Sequence, residues 1–104
     1  MSKFITLEHA REMKDLYLKE REVILVPEHR GKNIIAISET FNAADLKKLL
    51  DQPDCTSLRV YYGMNVELKI HAILVAVNSK DEDILHLILE EATRCPPICP
   101  PPGL

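Results

Sequence analysis

Five of the seven prolines in this chain fall within its last ten residues, Cys95-Pro96-Pro97-Ile98-Cys99-Pro100-Pro101-Pro102-Gly103-Leu104. Proline holds φ at about −65° and has no N–H to donate, so such a segment can be neither helix nor inner strand. It is expected to be a stiff polyproline II tail, ready to dock. Regular structure is thereby confined to residues 1–94. The total of 104 residues leaves room for one core, the usual size of a single domain. The chain therefore reads as a single α+β domain over 1–94 followed by a Cys/Pro-rich tail over 95–104.

Two helices have local start signals. Thr6 can cap a helix over residues 7–20, with Glu8 at the positive end of its dipole and Ala10, Met13 and Tyr17 as an apolar stripe facing the core. In Phe41-Asn42-Ala43-Ala44-Asp45-Leu46, Asn42 is the N-cap, and Phe41 and Leu46 hold the two positions of a hydrophobic staple. That helix buries Leu46, Leu49 and Leu50 and ends near Gln52, because Pro53 disfavours helical backbone before it.

Strands fill the gaps. Residues 23–26 read as a helix end or an edge strand stopped by Pro27, and 33–38 as a strand. Residues 57–62 and 67–77, separated by Gly63-Met64-Asn65-Val66, read as a hairpin. The expected register sets Tyr62 opposite Glu67, Val60 opposite Lys69 and Leu58 opposite His71. One of Tyr61 and Tyr62 then faces the core and the other solvent. The second strand turns apolar on both faces after His71, as a central strand does. Ser79-Lys80-Asp81-Glu82 fits a capping box, and Ile84, Leu85, Ile88, Leu89 and Ala92 predict a third helix, with a strand through 84–89 as the rival. The sum is a small two-layer α+β domain with a β-hairpin, two to three helices and a polyproline tail.

Lys and Arg total 13 against 16 for Asp and Glu, a net charge of −3, which argues against a dedicated nucleic-acid binder. No apolar run approaches the roughly 20 residues that a membrane span needs, so no membrane partner is expected. The N-terminus lacks the apolar core of an export signal. With three cysteines, too few and odd for a disulfide scaffold, the expected compartment is a reducing cytoplasm.

The blocks Ser38-Glu39-Thr40-Phe41, Gln52-Pro53, Tyr61-Tyr62-Gly63-Met64, Leu68-Lys69-Ile70-His71-Ala72 and Glu82-Asp83-Ile84-Leu85 precede a tail of Arg94-Cys95-Pro96-Pro97 and Cys99-Pro100-Pro101-Pro102. Together they resemble a family of small uncharacterised Bacteroidota proteins with an RCPPxCPPP-type tail. The resemblance runs over about residues 20–104 and implies no activity. Members carry a longer polar segment before the tail, which is short and apolar here.

Cys95 and Cys99 have a spacing seen in half of a zinc site, with Cys55 as a candidate third ligand, but the second half has no paired spacing. The same two thiols could form a disulfide or a redox pair, or simply pack as small hydrophobes. No cofactor is expected, zinc being the one candidate. Arg59, Tyr61 and His71 fall near one another in the expected hairpin and form a candidate polar patch. A half-buried, hydrogen-bonded sheet histidine is the plainer reading. Pro97-Ile98-Cys99-Pro100 matches a groove-docking pattern that any proline run produces easily.

No phosphate loop, metalloprotease or serine-hydrolase motif is present. The expected function is therefore non-enzymatic: a protein-binding or accessory protein that meets an unidentified protein partner through its sheet edge or its tail. The tail's binding residues would be Cys95, Pro96, Pro97, Ile98, Cys99, Pro100 and Leu104. The alternatives are a metal-binding or thiol-redox protein using Cys95 and Cys99, and a precursor whose C-terminal tail is modified. The oligomeric state is not readable from the sequence.

Overall fold

A computed structural model describes residues 2–104. The chain is a small α+β domain: helix α1 (Leu7–Glu20), a 3-10 turn (Pro27–His29), strand β1 (Ser38–Thr40), helix α2 (Ala43–Leu50), and strands β2 (Cys55–Met64), β3 (Ile70–Asn78), β4 (Asp83–Leu89) and β5 (Thr93–Cys95). β2, β3 and β4 form an antiparallel sheet with β3 at its centre, and β1 pairs antiparallel with β5 in a second, two-stranded sheet. Among the described residues no helix is long and apolar enough to cross a membrane.

Both expected caps form. The Thr6 side chain accepts from His9 N, and the Asn42 side chain accepts from Ala44 N and Asp45 N, satisfying two amides at the start of α2. Such a cap is worth roughly 0.5 to 2 kcal/mol. Phe41 and Leu46 lie against the core of Leu49, Leu74 and Ala76, joined by Cys55, Ile84 and Leu89. α2 thus lies on the sheet face carried by the even-numbered residues of β3. As expected of a central strand, Leu74, Val75, Ala76 and Val77 are all buried.

α1 has the expected bounds but a different role. None of its residues is buried, and Met13, expected in the core, is 58% exposed. The helix is held by side-chain hydrogen bonds instead: Tyr17 donates to the carbonyl of Ala36, and Arg21 donates to that of Ile35.

Four further expectations are corrected. Residues 80–93 contain strand β4 and no third helix. Asn78 Oδ1 accepts from Lys80 N and Glu82 N, and Asp81 takes a left-handed φ of 63°, so the chain reverses and lays its apolar run along β3. The hairpin register is shifted by five residues, with Tyr62 opposite Ala72 and Val60 opposite Leu74. Asn65 Oδ1 binds the amides of Glu67 and Lys69 and organises a longer loop, consuming residues assigned to the second strand. Tyr61 and Tyr62 are both exposed, at 45% and 79%. Residues 33–37 form no strand; 23–26 continue from the end of α1 as turns, with Ile24 N bonded to Glu20 O, which is the helix-end reading of that run. The carbonyls of Asn33, Ile34, Ile35 and Ala36 are taken largely by arginine and tyrosine side chains, and Arg30 binds those of Glu22, Val23 and Leu25.

Candidate functional site

Arg94 is the node that joins the tail to the body. Its side chain is 9% exposed. The guanidinium donates to the carbonyls of Asn33 (2.7 Å), Ile34 (2.9 Å) and Ile70, and to Glu39 Oε1 (3.1 Å), while Nε lacks a partner. Glu39, its side chain 11% exposed, accepts from Ala72 N at 3.1 Å and faces His71 Nδ1 at 3.5 Å. A planar donor fork can satisfy several acceptors at once, which suits arginine rather than lysine. These bonds fix the two-stranded sheet against the start of β3. Neither Arg94 nor Glu39 was found from the sequence, because their partners lie as far as 61 residues apart in the chain.

Next to this node the tail closes on itself. Cys95 and Cys99 form a disulfide with a Cα–Cα distance of 4.6 Å. A polyproline II segment would place them about 12 Å apart, at 3.1 Å per residue. The extended tail is therefore replaced at its base by a tight loop, with cis bonds at Cys95-Pro96 and Pro96-Pro97 and a main-chain bond from Ile98 N to Arg94 O. Cys95 is 4% exposed, pairs with Ser38, and accepts from Ile37 N, so it belongs to the folded body. Pro97, Cys99 and Pro100 are exposed. Ile98 at 67% and Leu104 at 55% are the exposed aliphatic groups beyond it.

The expected polar patch divides. Arg59 bonds Asp83 at 2.6 Å and Asp81 at 2.7 Å, and Tyr61 donates to the same Asp83 carboxylate. The tyrosine hydrogen bond foremost, with the arginine, holds the Asp83 carboxyl below its ordinary range, and Asp83 raises the Tyr61 phenol. His71 sits opposite Gly63 and turns toward Glu39, Glu90 and Asn65. It is a sheet histidine hydrogen-bonded to Asn65, while Arg59 and Tyr61 brace β2 to the start of β4.

Zinc does not fit these residues. Two of the three sulfurs are bonded to each other, the third, Cys55, packs against the α2 core, and among the described residues no three His, Cys, Asp or Glu side chains are grouped to hold a metal. The clefts are small. One of about 180 Å³ is lined by Tyr17, Ile35, Glu39, Tyr62 and Ile70, and one of about 210 Å³ by Asn65, His71 and Glu90. Small-molecule sites usually run from about 300 to 1,000 Å³.

What the chain does present is apolar surface. Among the described residues, twenty-three large hydrophobic side chains are exposed, against seven buried hydrophobic residues. Those exposed on one side of β2 are Leu58, Val60, Tyr62 and Met64, and α1 adds Leu7, Met13, Leu16 and Leu18. Comparison with protein-family models, with curated proteins and with solved structures finds no match.

Proposed function

We propose that this protein is a non-enzymatic binding or accessory protein that meets another protein through the apolar side of β2, with the disulfide-closed tail loop as a second contact. The observation that carries this reading is the mismatch between an apolar content of 46% and so few buried hydrophobic side chains. Extensive exposed apolar surface marks interaction sites in soluble proteins. The tail loop adds a preorganised anchor: Ile98 is held outward by a closed ring and loses little freedom on docking.

The test is photo-cross-linking in native cells, with a photoreactive residue placed in turn at Tyr62, Ile98 and, as a control, the exposed Lys48 on α2. A discrete heavier species from Tyr62 or Ile98 and none from Lys48 is the expected outcome. No discrete adduct from either position would overturn the reading.

A cytoplasmic setting and a closed Cys95–Cys99 bond pull in opposite directions, since structural disulfides are rare in a reducing cytosol. Alkylation of the protein trapped directly from cells should add one group, on Cys55, the free cysteine. Three groups would place it in a reducing compartment, with the loop held by its main-chain bonds.

A further inference from the structure

We propose that the partner on the β2 side is a second copy of this chain, joined by antiparallel pairing of β2 with β2 across a two-fold axis; the proposal rests on the binding reading above. The surface area points to it. The chain exposes 7996 Å², whereas a folded monomer of 11.8 kDa is expected to expose about 5,900 Å². Its radius of gyration is 15.6 Å against about 13 Å for a compact chain of this length. The excess, about 2,000 Å² per chain, is shared by β2, α1 and the exposed tail, and it leaves room for the roughly 1,000 Å² that each subunit of an obligate homodimer buries at the least.

The strand edges say where. The three-stranded sheet has two edges, β2 and β4. β4 is interrupted: Val75 pairs with Ile88 but Ala76 with Ile84, so residues 85–87 break the ladder. Irregularity of that kind protects an edge. β2 runs over ten residues with no proline or lysine, and its one irregularity lies at its start, between Cys55 and Ser57. Asn65 N donates to Lys69 O at the hairpin end. Hydrogen-bonded pairs alternate in an antiparallel ladder, so Gly63, Tyr61 and Arg59 bond inward to β3 and the main chains of Leu58, Val60, Tyr62 and Met64 point outward.

The register is self-complementary. With Val60 opposite Val60 of the second copy, Leu58 of each chain faces Tyr62 of the other. These are outward-facing pairs on one apolar side. On the other side Arg59, the strand's one charged residue, faces Tyr61. A shift one way sets Arg59 against Arg59, a like-charge pair that destabilises; a shift the other way sets Arg59 against Gly63, which has no side chain to pack. The result is one six-stranded sheet through both chains.

Sedimentation equilibrium of the full chain should give twice the 11.8 kDa chain mass, falling to the chain mass in Val60→Pro and Val60→Lys with an unchanged circular dichroism spectrum. Proline at an outward-facing amide removes no bond to β3. Should Val60→Pro fail to fold, amide exchange in the wild-type protein decides. The amides of Leu58, Val60 and Tyr62 are slow in the dimer and become fast on dilution to the monomer. A wild-type chain that stays at the chain mass to its solubility limit with those amides exchanging freely overturns the proposal, as does a dimer that persists in both folded variants. A monomer that still gives a discrete heavier adduct from Tyr62 sinks the homodimer and leaves the binding reading standing. A monomer with no adduct at all sinks both.

Discussion

Replacing Arg94 by methionine is expected to lower the free energy of unfolding by about 1 to 3 kcal/mol, the cost of leaving shielded hydrogen-bond acceptors without their donor. Glu39, 11% exposed, would keep its charge with only Ala72 N and the His71 ring beside it, and the carbonyls of Asn33, Ile34 and Ile70 would lose their donors. Domains of this size are stable by about 5 to 15 kcal/mol in total, so the loss is a large part of the whole. Urea denaturation checks it: the midpoint falls while the slope stays near the wild-type value. Arg94→Lys should recover little of the loss, because an ammonium cannot reproduce the fork. A wild-type midpoint in Arg94→Met would show that these bonds contribute nothing to stability.

Truncation of the tail should divide sharply at residue 99. Removing residues 100–104, which are exposed, is expected to change stability by no more than about 0.5 kcal/mol. Removing 95–104 takes away a buried residue of β5, the acceptor for Ile37 N, and the disulfide. Loss of a buried residue together with one strand of the two-stranded sheet costs about 1 to 3 kcal/mol. For a domain of about 100 residues each kcal/mol moves the melting temperature by about 4 to 8 °C, so thermal melts should show a fall of at least about 4 °C. The sequence places the end of the domain at residue 94, which would let the whole of 95–104 be cut without unfolding the body. The burial of Cys95 beside Arg94 reverses that expectation, and two equal melts would restore it.

The features that were legible in the sequence are those whose cause is local. Thr6 and Asn42 cap helices through amides two or three residues away, and nothing packed beside them overrides those signals, whereas the capping-box pattern at 79–82 yields to strand β4. The small α+β class followed from them and from the hairpin. What failed was set by distant partners or by single polar side chains. Ile84, Leu85, Ile88 and Leu89 suit a helix stripe or a strand equally well, and the free side of β3 decided for the strand. The register hung on the Asn65 side chain, which holds a loop that a count of β-branched residues does not reveal. At the site, the Cys95–Cys99 pair was visible as an open choice among metal, disulfide and free thiols. Arg94 and Glu39 carried no signal, because nothing near them in sequence marks their partners.

The attachment of α1 sets the temperament of the whole molecule. A helix that buries none of its residues and is tied down by the hydroxyl of Tyr17 and the guanidinium of Arg21 is held by contacts worth about 0.5 to 1.5 kcal/mol each. It can therefore come away at a small fraction of the cost of melting the sheet, as the least stable unit of a chain whose parts do not unfold together. Tyr17 lines the cleft beside Tyr62 and Ile70, so each such excursion uncovers more of the apolar side of β2. The surface available for assembly is then a fluctuating quantity, and heat or mild denaturant would enlarge it well before the core gives way.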